Sequence, residues 1–244
     1  MPFELQKSFS YHHEFRSWEI ADKQNAAALK AQALLVIERQ GYEEPITQNK
    51  IKPSQIMLSP TNLHETISSD NMNSRKRALL LAFERAIATE LTTPRQKARI
   101  LSADGISRLA LILRGLYPFF LGTEYLPTPE DQEKFFPVPH LDLQSIDYQD
   151  ESFDAFLSAD VFEHVPDLDL ALAEIMRILK PGGVLVSSFP FSPDQRHTRV
   201  CATISNTGEI KHHRPPKYHG NPIDPEAGSL VFSLPGWDIL EKLR

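Results

Sequence analysis

Two runs decide the fold: Glu151-Ser152-Phe153-Asp154-Ala155-Phe156-Leu157-Ser158, and further on Leu179-Lys180-Pro181-Gly182-Gly183-Val184-Leu185-Val186-Ser187-Ser188-Phe189. The first leaves a polar turn and climbs into apolar residues, as a buried strand does. Between the runs, Asp167 or Asp169 can cap a helix whose apolar residues Leu170, Leu172, Ile175, Met176, Ile178 and Leu179 recur near helical spacing. Lys180 suits the negative end of that helix, Pro181 cannot continue it, and Gly182-Gly183 let the chain reverse. Val184 to Phe189 then reads as a central parallel strand buried on both faces. Upstream, a short strand ends at Leu141-Asp142-Leu143. Strand, helix and strand in this order make a right-handed crossover, so the class is α/β with a parallel sheet.

Working outward toward the N-terminus, Arg99 to Gly105 is expected to be the first strand of the sheet and Arg108 to Leu116 the first helix. Phe119 to Leu126 is the second strand and carries an acid near its end, Glu124. Pro127 to Pro139 is a connection with a short helix around Glu130 to Phe135. Ala78 to Glu90 places Leu79, Leu80, Phe83, Ala86 and Ile87 on one helical face. The trio Arg75-Lys76-Arg77 before it reads first as a solvated helix start, and second as an anion contact through Arg75 and Arg77. Residues 1 to 22 hold aromatics among charges without a clean period, and Asp22 to Gln40 is a helix stopped by Gly41. Glu43 to Thr61, with Pro45, Pro53 and Pro60, is the expected boundary between an N-terminal extension (1–61) and the main domain (62–244, core 95–244).

Composition narrows the function. The chain has 244 residues, 41% hydrophobic and 24% charged, as in ordinary soluble domains. A net charge of −6 argues against a sequence-independent nucleic-acid partner. Cys201 is the single cysteine, so neither an intrachain disulfide nor a cysteine zinc cluster can form. No apolar run reaches membrane-spanning length and the N-terminus lacks a signal-peptide core, which leads us to expect a cytoplasmic protein with no membrane partner. His212, His213 and His219 with Asp224 lack the spacing of a preformed metal site, so no metal is expected.

Asp142-Leu143, Glu151 to Asp154, Phe162-Glu163-His164-Val165-Pro166-Asp167 and Leu179 to Gly183, in this order and spacing, resemble the class I S-adenosylmethionine-dependent methyltransferases, most of all their small-molecule, type 11-like branch. Thr123-Glu124-Tyr125-Leu126, Lys217 to Pro222 and Gly236 to Leu240 resemble a subgroup with a glycine-poor first motif, extending the likeness over residues 62–244. The resemblance implies a Rossmann-like sheet with helices on both faces. No residues after the helix opened by Gly236 supply the family's closing antiparallel strands, so either the sheet is reduced or the chain is truncated.

The implied cofactor is S-adenosylmethionine, with S-adenosylhomocysteine as product. Glu124, beside Tyr125, is expected to accept from the ribose hydroxyls. Asp142 takes the adenine role with the Leu143 amide next to it, and Ala103, Asp104 and Gly105 form the turn on the methionine side. Ser158, Ala159 and Asp160 should line the floor. The usual glycine-rich run is reduced here to Gly105, in a family whose glycines allow close approach of backbone to ligand. His164, Asp160 and His219 are candidate bases for a hydroxyl acceptor, against plainer readings as a structural histidine, a solvated acid and a surface-loop histidine. The expected acceptor is a small molecule or glycan, methylated at oxygen or nitrogen. Two rivals remain: a silent methyltransferase-like binding or scaffold domain, and a nicotinamide-dinucleotide oxidoreductase, which would need a glycine-rich turn absent here.

Overall fold

The computed structural model describes residues 9–45, 47–59 and 65–243. Its centre is a parallel sheet of four strands: β3 (Arg99–Ser102), β4 (Phe119–Gly122), β5 (Phe153–Ala159) and β6 (Leu179–Ser188), in the order β4-β3-β5-β6. Ahead of it in the chain come α1 (His12–Gln40), a small antiparallel hairpin of β1 (Tyr42–Glu43) and β2 (Lys50–Ile51), and α2 (Ser74–Glu90). The sheet strands are joined through α3 (Arg108–Leu116), α4 (Pro129–Lys134) and α5 (Leu168–Ile178).

Each crossover helix begins at a side chain that fills its open amides. The Ser107 hydroxyl accepts from the Leu109 and Ala110 amides, the Thr128 hydroxyl from Asp131, and the Asp167 carboxylate from Leu170. Asp167, then, is the cap of α5. Two cores flank the sheet. On one side Leu79, Leu80, Phe83 and Ile87 of α2 join Leu109 and Leu113 of α3 over Ile100, Ala155 and Leu157. On the other, Leu172, Ile175 and Ile178 of α5 pack with Leu101, Phe156 and Phe162. Helices on both faces of a parallel sheet give the Rossmann-like α/β architecture.

Four expectations are corrected. β6 is not buried on both faces: it lies at the edge of this sheet, and from Val184 to Ser188 it is only half-buried. Lys180 does not serve the α5 terminus; its ammonium reaches both oxygens of Asp154, at 2.9 and 3.0 Å. The strand expected at 141–143 shrinks to one parallel bridge between Glu124 and His140, because the Gln144 amide bonds the Asp142 carboxylate and turns the chain away. Helix α1 starts at His12, well before Asp22. Glu14 accepts from the Ser10 and Tyr11 amides, and the period-less aromatics Phe15 and Trp18 belong to a cluster with Phe9 rather than to an apolar stripe. Gly41, in the left-handed region with φ 74°, ends α1 as expected.

After β6 the chain builds a short-stranded cap. The strands are β7 (Arg199–Val200), β8 (Ala202–Ile204), β9 (Ile210–His212), β10 (Tyr218–His219), β11 (Ser229–Leu230) and β12 (Ser233–Leu234), before α6 (Ile239–Lys242). β8 pairs with β9, β10 with β11, and β7 with β12. No helix among the described residues is long and apolar enough to cross a membrane.

Candidate active site

The chain moves from β3 outward to β4, then returns across β3 to β5. The carboxyl ends of β3 and β5 therefore part where the strand order reverses, the usual place for a ligand crevice in such sheets. A cleft of about 1720 Å³ opens there. Its walls include Ala103, Asp104, Glu124, Tyr125, Asp142 and Leu143 at one end, and Ala159, Asp160, His164 and His219 at the other.

At the first end the tips of β3 and β4 touch. A Cβ on Gly105 would lie 2.9 Å from the Gly122 carbonyl carbon, and one on Gly122 would lie 2.7 Å from the Gly105 Cα. That contact lets the Gly105 amide donate to Glu124 Oε1 at 2.9 Å. Gly105 thus serves packing between strands, and its amide is already used by the protein. The Glu124 carboxyl is pushed up to about 7: burial is the main cause, and Asp104 adds to it, while the Gly105 and Ile106 amides and Lys76 oppose it. Asp104 accepts from the Ser107 amide and hydroxyl, fixing the turn into α3. Asp142 is half-buried beside the exposed Tyr125 ring, and the phenol of Tyr125 is raised by burial and by Asp142.

Ser158 is placed differently from expectation. It is fully buried in β5 with its hydroxyl 2.7 Å from that of Ser187, so it holds β5 to β6 and does not reach the cleft floor. Asp160 does reach the cleft. It sits in the left-handed region at φ 55°, donates its amide to the Ser188 carbonyl, and forms an ion pair with Arg75. Arg75 also holds Glu65 at 2.7 Å, so the first basic residue of the trio is a cleft residue. Arg77 is not: it is buried on the far side, bonded to Glu44, the Ile67 carbonyl and Ser69.

His164 closes the 3-10 turn after β5. Its Nδ1 lies 2.8 Å from the Leu230 carbonyl, and burial lowers its pKa. His219 comes from β10, so strand pairing with β11 positions it, and burial, then His164, lower its pKa as well. The two rings meet edge to face at 5.1 Å. Beneath them lies Glu163, fully buried, with its carboxyl pushed up to about 7 by burial, against the field of Arg75 and Lys217. In the sequence Glu163 stands only as part of a motif. Its place between Phe162 and Val165, apolar neighbours that signal burial, is the sequence feature that marks it.

Residues 126–187 match the family profile described as "Methyltransferase domain". That match spans about a quarter of the chain, and it is to this profile that the segment is similar. The match covers the bridge at His140, the strands β5 and β6 and the helix between them. Among curated proteins, none matches the chain. Among solved structures, an S-adenosylmethionine-dependent methyltransferase from Mesorhizobium loti is 16% identical over 66% of this chain and 78% of that one, with a TM-score of 0.41. YcgJ from Bacillus subtilis is 20% identical over 47% of this chain and 51% of its own, with a TM-score of 0.36. The [4+2]-cyclase SpnF is 22% identical over half of each chain, with a TM-score of 0.36. The chain spans about half the length of the first solved structures it matches.

The first end of the cleft carries two acids on one wall. Glu124 keeps Oε2 free of the Gly105 bond and faces the cleft, and Asp142 lies on the same wall. The turn after β3 offers few open backbone donors, because the Gly105 amide is taken by Glu124 and the Ser107 amide by the Asp104 carboxylate.

Proposed function

We propose that the protein transfers a methyl group from S-adenosylmethionine to the oxygen or nitrogen of a small-molecule or glycan-like acceptor. The observation that carries this reading is Glu124, a half-buried carboxylate at the carboxyl end of β4, next to Asp142 and facing the crevice. A carboxylate there can accept from two adjacent ribose hydroxyls, with charge-assisted bonds of about 1.5–3 kcal/mol. Ala103, Asp104 and Gly105 would border the methionine side, Tyr125 and Leu143 the adenine side, and Ala159 the floor; Ser158 acts behind it through Ser187. The bound cofactor supplies an electrophilic methyl group, which leaves the protein to position the acceptor and exclude water.

The cleft volume, about 1720 Å³, exceeds the ~300–1,000 Å³ common for one small ligand and leaves space for an acceptor beside the cofactor. That space is edged by the His164 and His219 rings, our candidates for touching the acceptor's oxygen or nitrogen. Asp160 is neutralised by Arg75 and serves better to place that arginine than to take a proton. The lone Cys201 and the absence of a long apolar helix among the described residues support a cytoplasmic setting within this proposal. Titration calorimetry with S-adenosylhomocysteine tests the reading. Micromolar binding by the native chain, weakened by Glu124→Ala, is expected, and a folded chain that does not bind would favour the silent-domain alternative.

A further inference from the structure

Glu163, His164 and His219 form a cluster that the sequence does not bring together, since the two histidines stand 55 positions apart. One ligand atom from each side chain lies within 4.8 Å of the others. We propose that these three side chains bind a divalent first-row transition-metal ion, zinc being the best fit, at the acceptor end of the cleft.

Three observations carry this. First, Glu163 is fully buried, and neither of its carboxylate oxygens has a hydrogen-bond donor among the described residues. A buried carboxylate normally costs several kcal/mol of desolvation unless hydrogen bonds or a cation offset it. Two ring nitrogens stand beside its Oε1, His219 Nδ1 at 3.4 Å and His164 Nε2 at 3.6 Å. Second, those separations are the edges of a coordination tetrahedron, for ligands about 2.1 Å from an ion stand about 3.4 Å apart. Third, His164 is oriented for ligation. Its Nδ1 is bound to the Leu230 carbonyl, which can only accept, so Nδ1 carries the proton and Nε2 presents its lone pair to the cluster.

The backbone holds this arrangement from two directions. The Phe232 amide donates to the Glu163 carbonyl at 2.7 Å, tying the 3-10 turn to the cap strands. Gly228, at φ 69°, packs so closely that a Cβ would lie 2.7 Å from the His219 carbonyl oxygen, which allows β10 to lie against β11 and set His219 over Glu163. Two imidazoles and one carboxylate match zinc or a neighbouring borderline ion rather than calcium or magnesium, which prefer oxygen ligands alone. Both histidines line the cleft and Glu163 lies beneath them, so the remaining coordination position opens toward the acceptor space. A water or an acceptor oxygen fits there. Binding of the ion stands independently of the proposed methyl transfer; only its use in holding an acceptor rests on that reading.

The test is calorimetric titration of zinc into the full chain after chelator treatment, with cobalt absorption as a second readout of coordination. One equivalent is expected to bind, with thermal unfolding shifted upward by zinc. Glu163→Gln and His219→Ala are each expected to weaken binding at least about 100-fold, since even residues one layer out contribute 10–100-fold. The double variant His212→Ala/His213→Ala, which removes the exposed neighbouring histidines, should bind like the native chain. A folded native chain that takes up no zinc, or affinity unchanged in both Glu163→Gln and His219→Ala, overturns the site. Equal loss in the His212/His213 variant would move binding to the surface and overturn it as well. S-adenosylhomocysteine is titrated in parallel: zinc binding without nucleoside binding would sink the methyl-transfer reading and leave the metal site standing.

Discussion

Glu124 and Asp154 are both acids at sheet ends, and the structure drives them in opposite directions. Burial, chiefly, holds the Glu124 carboxyl at about 7. In the proposed site the ionised form would accept from ribose hydroxyls, so affinity for S-adenosylhomocysteine should fall as pH drops from 8 through about 7 to 6. Asp104 and Lys76 are the charged groups that set its field, and Glu124→Gln should flatten the profile. Glu124→Ala should weaken binding by about 2 kcal/mol, roughly 30-fold; an unaltered affinity sinks the ribose assignment. The stability sign is separate. A carboxyl raised on folding is more protonated in the folded chain between the ordinary carboxylate range and about 7, so stability declines as pH rises through that window. Asp154 is the reverse case. Burial alone would raise it, but the Arg99 amide, the Lys180 ammonium and the Thr93 hydroxyl outweigh that and hold it below the usual carboxylate range. Its stabilisation is present above the ordinary aspartate range and lost as pH falls below it. Asp154→Ala should cost about 3 kcal/mol in denaturant unfolding at neutral pH, because it strands Lys180 and the Arg99 amide. The charged patterns are visible in the sequence, but their partners are not: Asp154 reads only as part of a strand-opening motif until β5 lies beside Thr93 and Lys180.

Among the elements, the ones with a strong local period were legible, and the ones fixed by contact were not. α3 spans Arg108–Leu116 as its apolar spacing and Ser107 cap dictate. The β10–β11 pair could not be read, since Tyr218-His219 and Ser229-Leu230 are two residues each and carry no alternation; they pair only because Gly228 turns the chain at φ 69°. The same holds for the tips of β3 and β4. The lone glycine after β3 looks, in sequence, like the remnant of a ligand-binding turn, whereas Gly105 and Gly122 lie in backbone contact with each other. Gly122→Ala should therefore spread β3 from β4, lowering stability by about 1–3 kcal/mol and breaking the Gly105-to-Glu124 bond. Thermal unfolding and S-adenosylhomocysteine titration should both register the change. A variant with native stability would show that the strand tips separate at no cost.

At the scale of the molecule, α1 poses the remaining problem. Its 29 residues are mostly exposed, so no apolar stripe of its own binds it to the sheet domain. It is joined at its two ends. At the C-terminal end the Gly41 turn leads into the β1–β2 hairpin, where buried Glu44 pairs with Arg77 of α2 at 3.0 Å and Tyr42 lies 2.7 Å from Ser69. At the N-terminal end Phe15 and His12 lie 5.7 and 5.9 Å from the Trp237 ring. Trp237 in turn donates its indole N–H to the Pro193 carbonyl and meets Phe191 edge to face, so one side chain joins α1, the segment after β6 and the end of the described chain. Removing it should separate these parts without unfolding the sheet. Trp237→Ala should destabilise the cap by about 3 kcal/mol or more. In hydrogen exchange, the first two turns of α1 and residues 193–198 should lose protection while β3 and β5 keep theirs, because the cores around α2, α3 and α5 do not include Trp237. Loss of protection in β5 to the same degree would mean that α1, the cap and the sheet unfold as one cooperative unit.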